Sequence, residues 1–183
     1  MINVRFVSLC TLALAMTAAC RSSAPVNDGR IRAEAYLLDT LGTEVGVVRI
    51  TETPGAPEVE VSIKVERGAT TGQHGIHFHS VGVCNPAGGF TSAGNHFNPT
   101  NKKHGLFNPE GPHNGDFEAL TIDSYRKGTF VAGDSRITLS PGPNSLLDAD
   151  GTSIVLHALP DDQRTDPSGN SGARIACGVL VKR

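Results

Sequence analysis

The chain has no tryptophan, only 5% aromatic residues, 4 cysteines in 183 positions and no surplus of positive charge. With 16 Lys plus Arg against 18 Asp plus Glu its formal charge is -2, so no basic field is available to hold a nucleic-acid backbone. No apolar run reaches the roughly 20 residues that a membrane-spanning helix needs. What is present is an ordinary 38% of hydrophobic residues, enough for the core of one domain and too much for a wholly disordered chain. The 21 glycines and 11 prolines, set against so few aromatics, favour turns and long loops over a helical bundle. An all-β domain is expected, and no internal repeat is visible.

The N-terminus stands apart. Met1 to Phe6 carries one cation, Arg5, and Val7 to Ala19 is apolar or small throughout (VSLCTLALAMTAA). This pattern is that of a secretory signal, residues 1–19. Thr17-Ala18-Ala19-Cys20 resembles the lipobox of bacterial lipoproteins, with Thr17 where Leu is usual. Cys20 is therefore expected to be the lipidated first residue of the mature chain; ordinary cleavage near Ala19 would instead leave it a stray thiol. Either way the protein is expected to be exported, to the periplasm or cell envelope, touching a membrane only through the lipid at Cys20. Loss of the signal removes Arg5 and no acid, leaving 15 Lys plus Arg against 18 acids, or -3. Cys10 leaves with the signal and Cys20 takes the lipid, so Cys84 and Cys177 remain, and two thiols allow one pairing. A Cys84 to Cys177 disulfide is expected. Residues 20–30, polar and small without periodicity, read as a flexible tether before a domain at 31–183.

Organised sequence begins at Ile31, where Ile31, Ala33, Ala35 and Leu37 alternate with Arg32, Glu34 and Tyr36. Period two means a strand with one buried face. The clearest case is Glu58 to Glu66, with Val59, Val61, Ile63 and Val65 inward. Between these, Val45, Val47, Val48 and Ile50 change phase, which predicts a bulge near Gly46. Further strands are predicted at Gly75 to Val83, Phe117 to Ile122, Gly128 to Ala132, Arg136 to Leu139, Ser153 to Leu159 and Arg174 to Lys182. Short strands at this spacing point to a sandwich or barrel. Asn85 to Gly115 and Pro160 to Ala173 do not fit as strands, and loops of such length are rarely kept without a use.

All seven histidines follow the signal: His74, His77, His79, His96, His104, His113 and His157. His77 and His79 form an H-x-H pair on a predicted strand, so both rings project from one face, within reach of one metal. Alone, such a pair is more often an exposed face. His96, His104, His113 and Asp116 add three imidazoles and a carboxylate within 21 residues of loop, a set suited to tetrahedral zinc. His157, by itself, reads as a core histidine at the end of a strand.

At these residues a family resemblance emerges. Gly72-Gln73-His74-Gly75-Ile76-His77-Phe78-His79 resembles the signature of the copper-zinc superoxide dismutases, and Gly172-Ala173-Arg174-Ile175-Ala176-Cys177-Gly178-Val179 resembles their C-terminal signature. Thr91 to Pro99 and Gly111 to Asp116 match as well, with the family's steps of eight, nine and three residues from His96 to His104, His113 and Asp116. The similarity runs from about Ile31 to Val181.

The resemblance implies an eight-stranded Greek-key β-barrel with two long functional loops. It makes His77, His79, His96 and His157 ligands of copper, and His96, His104, His113 and Asp116 ligands of zinc, with His96 bridging the two. Asp161 falls at a position that links a copper-ligand His to a zinc-ligand His from outside, Arg174 at the active-site arginine that attracts a small anion, and His74 at a structural histidine. The implied reaction converts two superoxide anions to oxygen and hydrogen peroxide. Cys84 lies five residues after His79, as in bacterial members, so the disulfide should clamp the loop beside Arg174. Pro167 stands about where the animal enzymes carry a substrate-guiding Lys, which leaves Arg164, Lys102 and Lys103 as replacements. The alternative is an exported copper-binding or copper-delivery module on the same barrel, for which the zinc set with Arg174 would be superfluous. Both a monomer and a homodimer are compatible with the sequence.

Overall fold

Val59, Val61, Ile63 and Val65 are buried while Glu60 and Lys64 are exposed, the alternation that lays β3 (Val59–Val65) on the core. The computed structural model describes residues 28–183, so the expected signal at 1–19, the expected lipid site at Cys20 and most of the expected tether lie outside the described residues. At the tether's end Arg32 donates to both carboxylate oxygens of Asp28, at 3.1 and 2.5 Å.

The other strands are β1 (Ile31–Asp39), β2 (Glu44–Glu52), β4 (Gly72–His74), β5 (Ile76–His79), β6 (Leu120–Ile122), β7 (Gly128–Asp134), β8 (Ser153–His157), β9 (Arg174–Val179) and β10 (Val181–Lys182). They pair in the order β5-β8-β9-β1-β2-β3-β7, with β10 beside β1 and β4 beside β6, always antiparallel. A tight turn from Asp123 to Lys127 carries β6 into β7, and β4 passes into β5 at Gly75, so the sheet curls back on itself. The ten segments fill eight strand positions, because β4 with β5 and β9 with β10 are each one strand interrupted by a single residue. Connections 66–71 and 135–152 skip over neighbouring strands, and the result is a Greek-key β-barrel.

The barrel interior holds Ile76, Phe78, Ile154 and Leu156, with Phe78, Phe117 and Phe130 stacked edge to face at 5.2 and 5.7 Å. Alternation then forces His77 and His79 of β5, and Val155 and His157 of β8, onto the outer face. That face is buried as well, since every residue of both strands is covered. Part of the cover is a small second core of Phe90, Ala93, Val155 and Cys177 packed with Cys84. The Cys84–Cys177 disulfide, with Cα atoms 5.7 Å apart, ties the covering loop to β9 across 93 residues of sequence. Closing a loop of that length stabilises by roughly 4 to 5 kcal/mol in the chain-entropy model.

Three strand expectations need correction. Arg136 to Leu139 is not a strand, although Ile137 and Leu139 are buried alternately. Its backbone turns toward Glu52 instead: Leu139 N–H, Ser140 N–H at 2.8 Å and Ser140 Oγ at 2.5 Å all donate to the Glu52 carboxylate. Phe117 to Ile122 pairs only from Leu120, and Gly75 to Val83 ends at His79, because there the chain leaves the barrel to build the site. The bulge is present: Leu37 pairs with Gly46 but Leu38 with Glu44, leaving Val45 as the extra residue.

Glu52 fastens the long 135–152 crossover to the barrel. Burial raises its pKa, yet the hydrogen bonds from Ser140 and Leu139 outweigh this and hold it below the ordinary glutamate value. A depressed carboxylate contributes stability above the unfolded-state pKa and loses it as pH falls. Glu52→Gln is expected to cost about 1 to 3 kcal/mol at pH 7, read by urea unfolding. The gap between wild type and variant should shrink below about pH 4; a gap independent of pH would contradict this role for the charge.

Candidate metal centre

Five side chains from four segments of the chain reach one spot on the outer face. His77 and His79 come from β5, His157 from the end of β8, His96 from the loop after Gly94, and Arg174 from the first position of β9. Potential donor atoms of His77, His79, His96 and His157 all lie within 4.8 Å of one another, and so do those of His96, His104, His113 and Asp116. All eight sequence-predicted residues of the two sets with Asp161 are buried.

In the first cluster His77 Nδ1, His79 Nε2, His96 Nε2 and His157 Nε2 are buried without a hydrogen-bond partner among the described residues. Unpartnered buried nitrogens cost free energy unless something binds them. The opposite nitrogens are all held: His77 Nε2 donates to Asp161 at 2.6 Å, His79 Nδ1 to the Gly94 carbonyl at 3.0 Å, and His157 Nδ1 to the Gly172 carbonyl at 3.2 Å. Each bond turns one lone pair inward, as a metal ligand requires. Burial pushes the pKa of His96 and His157 down to about 3 and lowers those of His77 and His79, outweighing the opposing pull of Asp161 on His77 and of Asp116 on His96. Lowered pKa values favour the neutral rings, which leaves these lone pairs available to a metal ion.

The second cluster closes on one oxygen. His96 Nδ1, His104 Nδ1 and His113 Nδ1 lie 2.9, 3.1 and 3.4 Å from Asp116 Oδ1, while Oδ2 accepts from the N–H groups of Gly105 at 2.9 Å and His113 at 3.0 Å. Burial opposes the charge on Asp116, but these donors hold it far below the usual carboxylate range. His104 meets a second carboxylate, Asp161 Oδ1, at 3.0 Å. Although burial pulls its pKa down, the two aspartates raise it to about 9, so the pocket stabilises a positive charge at this point. Three imidazoles, a carboxylate and a field that favours a cation are a fit for zinc.

Asp161 spans the two clusters, and Gly169 makes room for it. At Gly169, with φ of +62°, an added Cβ would stand 1.8 Å from Asp161 Oδ1 and 2.6 Å from His104 Nε2. Gly94 serves the other side: its carbonyl accepts from both His79 and Arg174, and an added Cβ would meet Ser80 Oγ at 2.9 Å. Arg174 donates to the Phe90 and Gly94 carbonyls, both at 2.8 Å, so it does fasten the disulfide-clamped loop. It also lines a cleft of about 810 Å³ together with His96, His113, His157, Lys102, Lys103, Pro167, Asp148 and Asp150. The three expected guiding cations separate here. Lys102 lines the cleft, Lys103 is paired with Asp166 at 3.2 Å, and Arg164 lies outside it, over the Phe107 ring at 5.7 Å. His74 lies 2.8 Å from both the His157 and Thr70 carbonyls and joins neither cluster, as a structural residue should.

Several supports escaped the sequence reading. Gln163 N–H donates to Asp161 while its side chain bridges Leu106 N–H and the Phe117 carbonyl, and Asp166 accepts from His104 N–H at 2.8 Å. The carbonyls of Gly94 and Gly172 orient two histidines with no side chain at all; only the glycine-rich composition of the loops hinted at them. Gly169→Ala is expected to dislodge Asp161, weakening cobalt(II) binding to the metal-free protein about 10-fold or more in a spectroscopic titration. Wild-type affinity would show that Asp161 does not organise the site.

Comparison with known proteins agrees with this centre. The copper/zinc superoxide dismutase family model matches residues 44–180. A copper-zinc superoxide dismutase of Aquifex aeolicus is 39% identical over 151 residues, covering 82% of this chain and 86% of that protein. One from Caulobacter vibrioides is 39% identical over 142 residues, covering 76% and 79%. The crystal structure of a superoxide dismutase-like protein from Bacillus subtilis superposes with a TM-score of 0.75 at 35% identity, covering 81% of this chain and 97% of that one. Fold, donor sets and relatives agree, and the chain belongs to the copper/zinc superoxide dismutase family.

Proposed function

We propose that the protein dismutates superoxide to oxygen and hydrogen peroxide outside the cytoplasm, with copper at His77, His79, His96 and His157 and zinc at His96, His104, His113 and Asp116. The observation that carries this reading is the placement of His96, whose Nε2 is one of the four unpartnered nitrogens while its Nδ1 sits in the carboxylate cluster. Bound copper would supply the alternating one-electron reduction and oxidation, and bound zinc a fixed positive charge without redox chemistry. With both metals bound, His96 would hold copper through Nε2 and zinc through Nδ1. Its Nε2 is the atom placed to take up a proton and return it as peroxide forms. Arg174, permanently charged and at the cleft wall beside His157, attracts and orients the anion. Lys102 adds to that local field, which outweighs a net negative charge when it acts within about one Debye length, roughly 8 Å. Completeness of both donor sets favours an enzyme over a copper-delivery module.

The apolar Val7 to Ala19 segment and the Cys84–Cys177 disulfide support export to an oxidising compartment, and Cys20 supports a lipid anchor. Stopped-flow superoxide decay tests the assignment on four proteins. His157→Ala should abolish turnover while retaining zinc. Arg174→Glu should lower the second-order rate by roughly tenfold or more. Arg174→Lys should lose much less, and added salt should slow the wild type. Near-native turnover in His157→Ala would remove the copper assignment, and equal rates for the two Arg174 variants at low salt would remove the steering role.

A further inference from the structure

His113 and Asp116 stand at the two ends of one tight turn, His113-Asn114-Gly115-Asp116, and a single guanidinium holds both ends. Arg136 Nη1 donates to the His113 carbonyl at 3.1 Å and Nη2 to the Asp116 carbonyl at 2.6 Å. The fork is itself fixed, since Nε and Nη2 donate to the two carboxylate oxygens of Asp134 at 3.0 and 2.7 Å. Asp134 ends β7, and its side chain is only 3% exposed. From the middle of the turn, Asn114 Nδ2 donates to the Arg136 carbonyl at 2.6 Å, and Asn114 Oδ1 accepts from Thr100 Oγ1 at 2.6 Å.

We infer that Arg136 is a positioning residue for zinc, clamping the His113 to Asp116 backbone to the end of β7 so that both side-chain donors stand in place before the ion binds. Two carbonyls and a carboxylate around one planar group match the rigid donor fork of arginine and not the point charge of lysine. Asp134 neutralises the guanidinium, so the role is geometric; an unpaired cation here would repel zinc. The inference rests on the zinc assignment made above.

The test uses purified, disulfide-intact wild type, Arg136→Gln, Arg136→Lys and Asp134→Asn. The zinc dissociation constant is measured by chelator competition, and the visible bands of cobalt(II) in the same site report its geometry. Arg136→Gln is expected to weaken zinc 10- to 100-fold and to alter the cobalt bands, as loss of a group that orients ligands does. Arg136→Lys should fail to restore either, and Asp134→Asn, which frees the fork but keeps the cation, should shift both in the same direction by less. An unchanged zinc constant and cobalt spectrum in Arg136→Gln overturn the clamp even if the melting temperature falls, since that is what a merely structural arginine would give. Should Arg136→Gln not fold, unchanged values in Asp134→Asn overturn it equally. A wild type without four-coordinate cobalt bands removes the zinc assignment and the clamp together.

Discussion

One imidazole cannot face two ways without being held from both sides, and the site is organised around that constraint at His96. Its Nδ1 is fixed 2.9 Å from Asp116, which is fixed in turn by two backbone N–H groups. Its Nε2 is thereby committed to the cluster of His77, His79 and His157. Stacking on the His77 ring, with centroids 4.1 Å apart, sets the remaining freedom. Moving any of these partners would move a donor out of both clusters at once.

The support is hierarchical. The barrel core places β5 and β8, and strand alternation puts three histidines on their outer side. The disulfide and the Phe90 core then press the first long loop onto that face, and carboxylates join the loops to each other. Asp161 links His77 to His104, while Asp166 links the 158–173 loop to the backbone of His104. Charged groups buried this deeply are tolerated because each has several partners, and a bound cation would balance the carboxylates.

Period two exposed the strands of the core, and the spacing of His96, His104, His113 and Asp116 pointed to a zinc set, whereas the copper set at His77, His79, His96 and His157 was implied only by the family resemblance. Arg136 to Leu139 misled because the apolar alternation of Ile137 and Leu139 looks like a strand, whereas the N–H groups of Leu139 and Ser140 donate to the Glu52 carboxylate, more than eighty residues away. Arg136 and Gln163 are hidden for a related reason, since they act largely through backbone groups 20 to 57 residues away, which leave no pattern in sequence. Among the cations near the cleft, only coordinates could show that Lys103 is neutralised by Asp166 and that Arg164 serves Phe107. The exact outward role of His157 was equally unreadable from a strand that is buried on both faces.

The most direct test of the account is whether His96 joins the two metal positions. Loading copper(II) into both clusters of the wild-type protein would set two unpaired spins across one imidazolate. Electron paramagnetic resonance should then show a coupled pair, with the ordinary signal lost on cooling, and His96→Ala should leave two independent signals. Two uncoupled copper signals in the fully loaded wild type would contradict the shared imidazole on which the proposed chemistry depends.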